Sequence, residues 1–239
     1  MTASMQLLIG TSGFSYKAWC GGFYPEKLPQ AKMLAYYAGI FQAVEINNSF
    51  YRMPTAELLG KWAAETPDGF QFALKSPKRI THDRRLAEVA GEVERLGAAA
   101  RSLGSKLGPV LFQLPPNMKK DLPRLDAFLA GLPGDVSAAV EFRHESWFGD
   151  DVYGCLRARN AALCIADAED LTTPVEATAG WGYLRLRRED YDQAAVARWG
   201  EIIAARPWTK AYVFFKHEDT GKGPVAAEQL IKVMNGARP

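Results

Sequence analysis

Eight short runs of aliphatic and β-branched residues recur along the chain, and each predicts a strand. These runs are Leu7–Gly10, Ala43–Ile46, Phe70–Leu74, Val110–Leu114, Ala138–Phe142, Leu163–Ala166, Tyr183–Leu186 and Ala211–Phe215. Amphipathic stretches lie between most of the runs and after the last one, and they predict helices. They are Ala31–Ile40, Ala56–Glu65, Arg84–Leu103, Leu122–Leu132, Asp151–Arg159, Gln193–Ala205 and Val225–Met234.

Alternation of strands and helices indicates parallel pairing through crossover helices. Eight units of roughly 30 residues predict an α/β fold, a single-domain (β/α)8 barrel of the TIM type over residues 1–239. Between the sixth and seventh strands only Leu171–Ala179 is available, so this connection is predicted to be shortened. An open doubly wound sheet is the alternative, but the glycines after the first strand lack the G-x-G-x-x-G spacing of its phosphate loop.

Alternating strand side chains place polar residues inside the predicted barrel. With the bulky aliphatic residues turned toward the helices, a polar residue points inward near the carboxyl end of six strands. This inward set comprises Glu45, Lys75, Gln113, Glu141, Arg143, Tyr183, Arg185 and Lys216, with Asn47 above Glu45. Strict alternation sends Asp167 to the same side as Leu163 and Ile165, although a local bend at the strand end could turn it toward the others. Buried charges are costly unless they are paired with each other or needed for function. The inward set therefore predicts a functional site at the mouth of the barrel, which is the opening at the carboxyl ends of the strands.

The inward set holds more cations than carboxylates, which favours an anionic substrate held by arginines. Glu45, Glu141 and Asp167 are candidate catalytic carboxylates, with Glu45 and Glu141 as the general acid or base. Lys75 is a candidate nucleophile of the Schiff-base type. Asn47, Gln113, Arg143, Arg185 and Lys216 are candidate substrate contacts. A purely structural ion pair between Glu141 and Arg143 is an equally weighted alternative.

Aromatic and histidine side chains follow the same strand ends. Tyr16, Tyr51 and Trp147 are candidate contacts for a flat ring, although loops also need small cores of their own. His144 and His217 are candidate acid/base or phosphate-contact residues, and His82 is interpreted as structural. No cofactor motif is evident, and a divalent metal bound by histidines and carboxylates is left open.

Composition limits the class of protein. The chain is 48% hydrophobic and 23% charged, with 29 basic against 27 acidic residues and a net charge of +2. A nucleic-acid partner held by bulk charge is therefore not favoured. Three scattered cysteines indicate a reducing compartment. No signal-peptide or membrane-spanning pattern is present, so we expect a cytoplasmic protein without a membrane partner.

Several motifs resemble the YecE-like family, domain of unknown function 72. They occur in family order: Ile9–Tyr16 (IGTSGFSY), Val44–Tyr51 (VEINNSFY), Phe72–Lys75 (FALK), Leu107–Pro116 (LGPVLFQLPP) and Val140–His144 (VEFRH). The resemblance implies a TIM barrel and no particular activity. The family residues matched here are Glu45, Asn47, Lys75, Gln113, Glu141, Arg143 and Asp167.

The sequence is compatible with three kinds of function. The first is an enzyme, a hydrolase, lyase or isomerase, that acts by acid/base chemistry on a small phosphorylated, sugar or nucleotide-like anion. The second is a nucleic-acid-binding or processing barrel, with or without a metal. The third is a non-catalytic ligand-binding protein, because this fold carries many unrelated functions.

Overall fold

The eight predicted strands all form, and they close into one parallel barrel in sequence order. A computed structural model describes residues 5–169, 171–216 and 221–236. The strands are β1 (Gln6–Ser12), β2 (Ala43–Ile46), β3 (Gln71–Lys75), β4 (Leu107–Gln113), β5 (Ala138–Glu141), β6 (Ala162–Asp167), β7 (Trp181–Leu186) and β8 (Lys210–Phe215). Each strand pairs with its neighbours in parallel, and β1 pairs with β8 from Gln6↔Lys210 to Thr11↔Phe215. All carboxyl ends therefore meet at one face of the barrel.

Helices cover the outside of the barrel. They are α1 (Met33–Ala38), α2 (Ala56–Ala64), α3 (Ala90–Ala100), α4 (Leu122–Ala130), α5 (Asp150–Ala158), α6 (Gln193–Ala204) and α7 (Lys222–Gly236). Thr55 caps α2 by accepting a hydrogen bond from the Leu58 N–H at 3.2 Å. This cap satisfies one of the free amide groups that open every helix.

The predicted helix over Arg84–Leu103 is wrong at its beginning. One π-helical turn, Arg79–Asp83, precedes it, and α3 begins only at Ala90. Arg85, Leu86 and Glu88 have φ values of 48°, 68° and 53°. Side chains on left-handed backbone cannot continue a right-handed helix, so the chain turns here before α3 begins.

The connection between β6 and β7 contains no helix among its described residues, which leave out Asp170. It instead carries a single antiparallel bridge between Asp167 and Thr172. That this connection is a shortened crossover stays a prediction.

Two apolar clusters divide the core. The larger lies between strands and helices and includes Val44, Phe112 and Leu184. The smaller fills the barrel itself with small residues from β2, β3, β5 and β6 facing larger ones from β7 and β8. Its members include Ala43, Ala73, Ala139, Ala162, Tyr183, Tyr212 and Phe214. Small residues opposite large ones fill a narrow barrel without voids, so the lower interior is packed and only the carboxyl end is polar.

Candidate functional site

A chain of three charged side chains crosses the barrel above its apolar layer. Arg185 on β7 donates from Nε and Nη2 to Glu45 Oε1 at 3.2 and 2.9 Å, and from Nη1 to Glu141 Oε2 at 2.6 Å. Glu45 and Glu141 are 0% exposed, and Arg185 is 2% exposed. One guanidinium therefore bridges two carboxylates in a place that water does not reach.

Glu45 has all the partners that a carboxylate can use. Besides the two donors of Arg185, Ser12 Oγ donates to Oε1 at 2.8 Å and Tyr183 OH donates to Oε2 at 2.7 Å. Burial holds the pKa of Tyr183 well above its ordinary value, so its hydroxyl stays a donor. This fixed, fully bonded carboxylate is arranged to hold Arg185 in place.

Glu141 is shared between the buried layer and the mouth. Its Oε2 accepts from Arg185, while Arg143 Nε lies 2.6 Å and Arg187 Nη1 lies 3.7 Å from its Oε1. Burial alone would raise the pKa of Glu141, but Arg185 and then Arg143 outweigh burial and hold this pKa below its ordinary value. Glu141 is therefore an anion at neutral pH that holds three guanidinium groups.

Arg187 also lies at the site, although it was not among the candidate residues predicted from the sequence. Its side chain is 19% exposed, and its Nε and Nη1 are buried without a hydrogen-bond acceptor among the described residues. The missed signal was the phase of β7, since Arg187 is two residues beyond the inward-facing Arg185 and thus has the same phase. Buried guanidinium donors without an acceptor are costly, and an anionic ligand would satisfy them.

Lys75 enters the same charge cluster from the end of β3. Its Nζ lies 4.3 Å from the ring centroid of Phe50 and makes no hydrogen bond or ion pair with the described residues. Burial, followed by the nearby charge of Arg185, lowers the pKa of Lys75 to about 8. His82 packs edge-on against the same Phe50 ring, at 4.9 Å between centroids. Burial and then Lys75 lower the pKa of His82.

Two amide side chains complete the ring around Arg185. Gln113 Oε1 accepts from Nη1 at 3.2 Å, and Asn47 Oδ1 accepts from Nη2 at 3.5 Å. Arg185 thus contacts side chains on or directly after β2, β4 and β5. The inward phase predicted for these strands is confirmed by these contacts.

Asp167 is not part of this ring, and the expected bend at the end of β6 is wrong. Its carboxylate accepts from Arg188 Nε at 2.6 Å, Tyr191 OH at 3.1 Å and Trp199 Nε1 at 3.2 Å. Trp199 belongs to α6, so Asp167 faces the helices, as strict strand alternation requires. Three donors anchor the β7–α6 loop and α6 to β6.

Trp147, predicted as a ring contact, belongs to the core. It is 0% exposed, stacks on Phe142 at 4.7 Å between centroids, and donates from Nε1 to the Met118 carbonyl at 2.7 Å. The prediction for Trp147 is therefore corrected, because a fully enclosed indole cannot contact a substrate. The apolar pattern of its loop did not distinguish a small loop core from a binding surface.

The remaining candidates lie around the carboxyl-end face. Tyr16 OH donates to the Ser12 carbonyl at 2.9 Å, and Tyr51 is 82% exposed. His144 Nδ1 accepts from the Ser146 N–H at 3.1 Å and caps a short 3-10 turn. Lys216 follows β8, and its N–H donates to the Leu186 carbonyl at 3.0 Å. His217 lies outside the described residues.

The histidines and carboxylates of the described residues are not arranged as a metal site. Within residues 5–169, 171–216 and 221–236, no three His, Cys, Asp or Glu side chains are grouped closely enough to hold a metal ion. The carboxylates of the mouth are instead occupied by arginines.

No helix among the described residues is long and apolar enough to cross a membrane.

A closed, eight-stranded parallel barrel with its polar cluster at the carboxyl ends is a TIM-type barrel. Within that class the chain belongs to the family "Protein of unknown function DUF72", which matches residues 8–239. The UPF0759 protein YunF of Bacillus subtilis is 36% identical over 138 residues, 54% of this chain and 49% of YunF. The UPF0759 protein YecE of Escherichia coli is 34% identical over 113 residues, 47% of this chain and 42% of YecE. The aligned stretches thus span about half of these curated relatives.

A crystal structure of a DUF72 family protein, TM1631 of Thermotoga maritima, has the same fold. The TM-score is 0.84 at 26% sequence identity, over 96% of this chain and 99% of that one. The TIM-barrel fold implied by the motif resemblance is therefore confirmed.

Proposed function

We propose that the protein is an enzyme that binds a small anionic substrate, a phosphorylated, sugar or nucleotide-like compound, at the carboxyl end of the barrel. One observation carries the proposal. Arg143 and Arg187 converge on one oxygen of Glu141, whose other oxygen is already paired with Arg185. Three arginines thus surround Glu45 and Glu141, and Arg187 has buried Nε and Nη1 atoms without a hydrogen-bond acceptor among the described residues.

The charge count around the mouth supports an anion rather than a cation as the ligand. In the ion-pair cluster that the described residues form, Glu45 and Glu141 supply two negative charges, and Arg143, Arg185 and Arg187 supply three positive ones. Lys75 adds a fourth positive charge whenever it is protonated. Arg187 donors that lack an acceptor raise the free energy of the empty site, and a bound phosphate or carboxylate would lower it.

In this proposal the buried carboxylates position the arginines, and the group that exchanges protons near neutral pH is Lys75. A general acid or base works best with a pKa near the operating pH, which the pKa of about 8 approaches. The ionised Glu141, with its lowered pKa, is a poor proton donor and sets the orientation of Arg143 and Arg187.

We also propose that the β6–β7 connection is a shortened crossover. We further propose that the protein works in a reducing cytoplasm, since its three cysteines are free thiols.

Calorimetric titration with inorganic phosphate tests the binding step. Wild-type protein should bind phosphate saturably, and Arg187→Gln should weaken binding by about tenfold or more, because hydrogen bonds to charged groups contribute roughly 1.5–3 kcal/mol. Arg198→Gln is the matched control, since it removes an equal charge from the exposed side of α6. Absence of saturable binding, or equal affinities in both variants, would refute the anion site.

Turnover tests the catalytic step. We expect a panel of sugar phosphates and nucleotides to contain a substrate that is converted by the wild type and by Arg198→Gln but not by Lys75→Gln. Phosphate binding without any turnover on such a panel would favour a non-catalytic binding protein. Salt-sensitive binding to DNA or RNA without phosphate binding would favour the nucleic-acid alternative.

A further inference from the structure

Lys75 has an unusual environment for an interior lysine. Lysine ammonium groups below a protein surface are normally paired with a carboxylate or solvated by several acceptors. Nζ of Lys75 instead lies over the Phe50 ring at 4.3 Å, and the described residues give it neither a carboxylate within 4.0 Å nor a hydrogen bond. The side chain therefore contributes no polar contact that would hold the fold together.

The charges around Lys75 also disfavour its protonated form. Arg185 and Arg143 repel the ammonium, while Glu141 and Glu45 attract it from the buried layer where both are already paired with arginine. His82, which packs edge-on against the same Phe50 ring, has a lowered pKa and supplies no anion. A neutral amine next to bound guanidinium groups is a nucleophile, whereas an ammonium is not.

We infer that the Lys75 amine forms a Schiff base with a small aldehyde or ketone whose phosphate or carboxylate is held by Arg143 and Arg187. This inference rests on the proposed function and narrows its substrate class to anionic carbonyl compounds. The arginines bind the anion, and the carbonyl group of the same molecule then lies within the charge cluster that contains Lys75.

The step balances without a further reactant. The nitrogen lone pair of the neutral amine attacks the carbonyl carbon, and an amine proton passes to the former carbonyl oxygen, which gives a carbinolamine. A proton from solvent then allows the hydroxyl to leave as water, and the nitrogen lone pair forms the protonated imine. No electron is gained or lost, and one water molecule is released for each bond formed.

Reductive trapping tests the inference. Wild-type protein is incubated at about pH 7 with pyruvate, with dihydroxyacetone phosphate or with uncharged dihydroxyacetone, then treated with borohydride, which reduces an imine to a stable secondary amine. Intact mass and peptide mapping locate the adduct. With a pKa of about 8, close to a tenth of Lys75 is neutral at that pH, against on the order of one part in 3,000 of an ordinary lysine.

We therefore expect one adduct, at Lys75, formed at least about tenfold faster than at any other lysine and only with the two anionic probes. Lys75→Arg should abolish the adduct while keeping the charge. Lys78→Arg, which alters an exposed lysine three positions away, should leave it unchanged. Inorganic phosphate should compete with trapping.

Two results would overturn the inference. One is the absence of a Lys75 adduct with either anionic probe. The other is labelling spread over exposed lysines at rates equal to that of Lys75. Calorimetry with inorganic phosphate on the same sample separates the two proposals. Phosphate binding without an adduct removes the covalent step alone, whereas absent phosphate binding removes the anion site on which it rests.

Discussion

Replacing Arg185 with methionine should be among the most destabilising single changes in the protein. Methionine still fills the space of the arginine side chain, but it removes three charged hydrogen bonds with Glu45 and Glu141, which are both 0% exposed. Glu45 is then left without a counter-ion among the described residues, whereas Glu141 keeps Arg143 and Arg187. Breaking a buried pair by removing one partner costs about 3–5 kcal/mol.

Urea unfolding followed by circular dichroism measures this cost. The matched control is Arg157→Met, because Arg157 forms a surface pair with Glu176 at 3.4 Å, with side chains 48% and 44% exposed. Pairs of that kind contribute about 0–1 kcal/mol. Adding Glu45→Gln to Arg185→Met removes the stranded charge of Glu45 and should restore stability, with a coupling of about 1–3 kcal/mol in the double-mutant cycle.

The cost of Arg185→Met should also depend on pH. In the wild type the pKa of Glu141 is lowered, so its stabilising contribution is present above the unfolded pKa and is lost as pH falls. In the variant the pKa of this carboxyl is higher than in the wild type, because Arg185, the strongest of the charges that lower it, is absent. The difference between the two proteins should therefore shrink from about pH 7 to about pH 4.5. A loss no larger than that of Arg157→Met, at any pH, would refute the view that the ion pairs of Arg185 with Glu45 and Glu141 stabilise the fold.

Three further outcomes can be measured by thermal or urea unfolding. Lys75→Met should stabilise the protein at about pH 7. Between about pH 8 and 10 the unfolded wild-type chain binds more protons than the folded protein, because the pKa of Lys75 is lowered by folding. The free energy of unfolding of the wild type should therefore rise with pH in this range, and that of the variant should not. Gly10→Ala should destabilise strongly, since its Cβ would lie 1.9 Å from a backbone oxygen of the neighbouring strand, whereas Gly60→Ala in open space on α2 should stabilise by up to about 1 kcal/mol. Trp147→Phe should cost about 1–3 kcal/mol, because the Met118 carbonyl loses its buried donor. Equal effects of the two glycine changes, or an unchanged pH profile in Lys75→Met, would contradict these assignments.

Period-two alternation was sufficient to predict most of the site. The aliphatic residues of β2, β5 and β7 belong on the helix side, so Glu45, Glu141 and Arg185 had to face inward and meet. Barrel closure then brought together residues up to 140 positions apart. Strand phase and strand order together made these contacts predictable without coordinates.

The errors arose where no period applies. Loop residues have no phase, so Trp147 could not be assigned to a small core rather than to the face of the mouth. Arg187 was missed because it lies one position beyond Leu186, where both the predicted aliphatic run and β7 end. The left-handed backbone before α3 was not predicted, because Arg85, Leu86 and Glu88 are residue types that rarely adopt positive φ.

Roles within the buried cluster could not be predicted from residue types alone. Sequence phase placed two carboxylates and several cations in one ring, but only the hydrogen-bond pattern separates the buried Glu45–Arg185–Glu141 chain from Arg143, Arg187 and Lys75. In our proposals the reactive group is therefore Lys75 and not one of the buried carboxylates.

Crystals soaked with tungstate, a heavy analogue of phosphate, test the central claim most directly. The account predicts an anomalous difference peak in the barrel mouth, with oxygens about 3 Å from the guanidinium groups of Arg143 and Arg187, and no such peak in Arg187→Gln crystals. Tungstate bound only at surface lysines or helix ends, with the mouth empty or with the same peak in the variant, would contradict it.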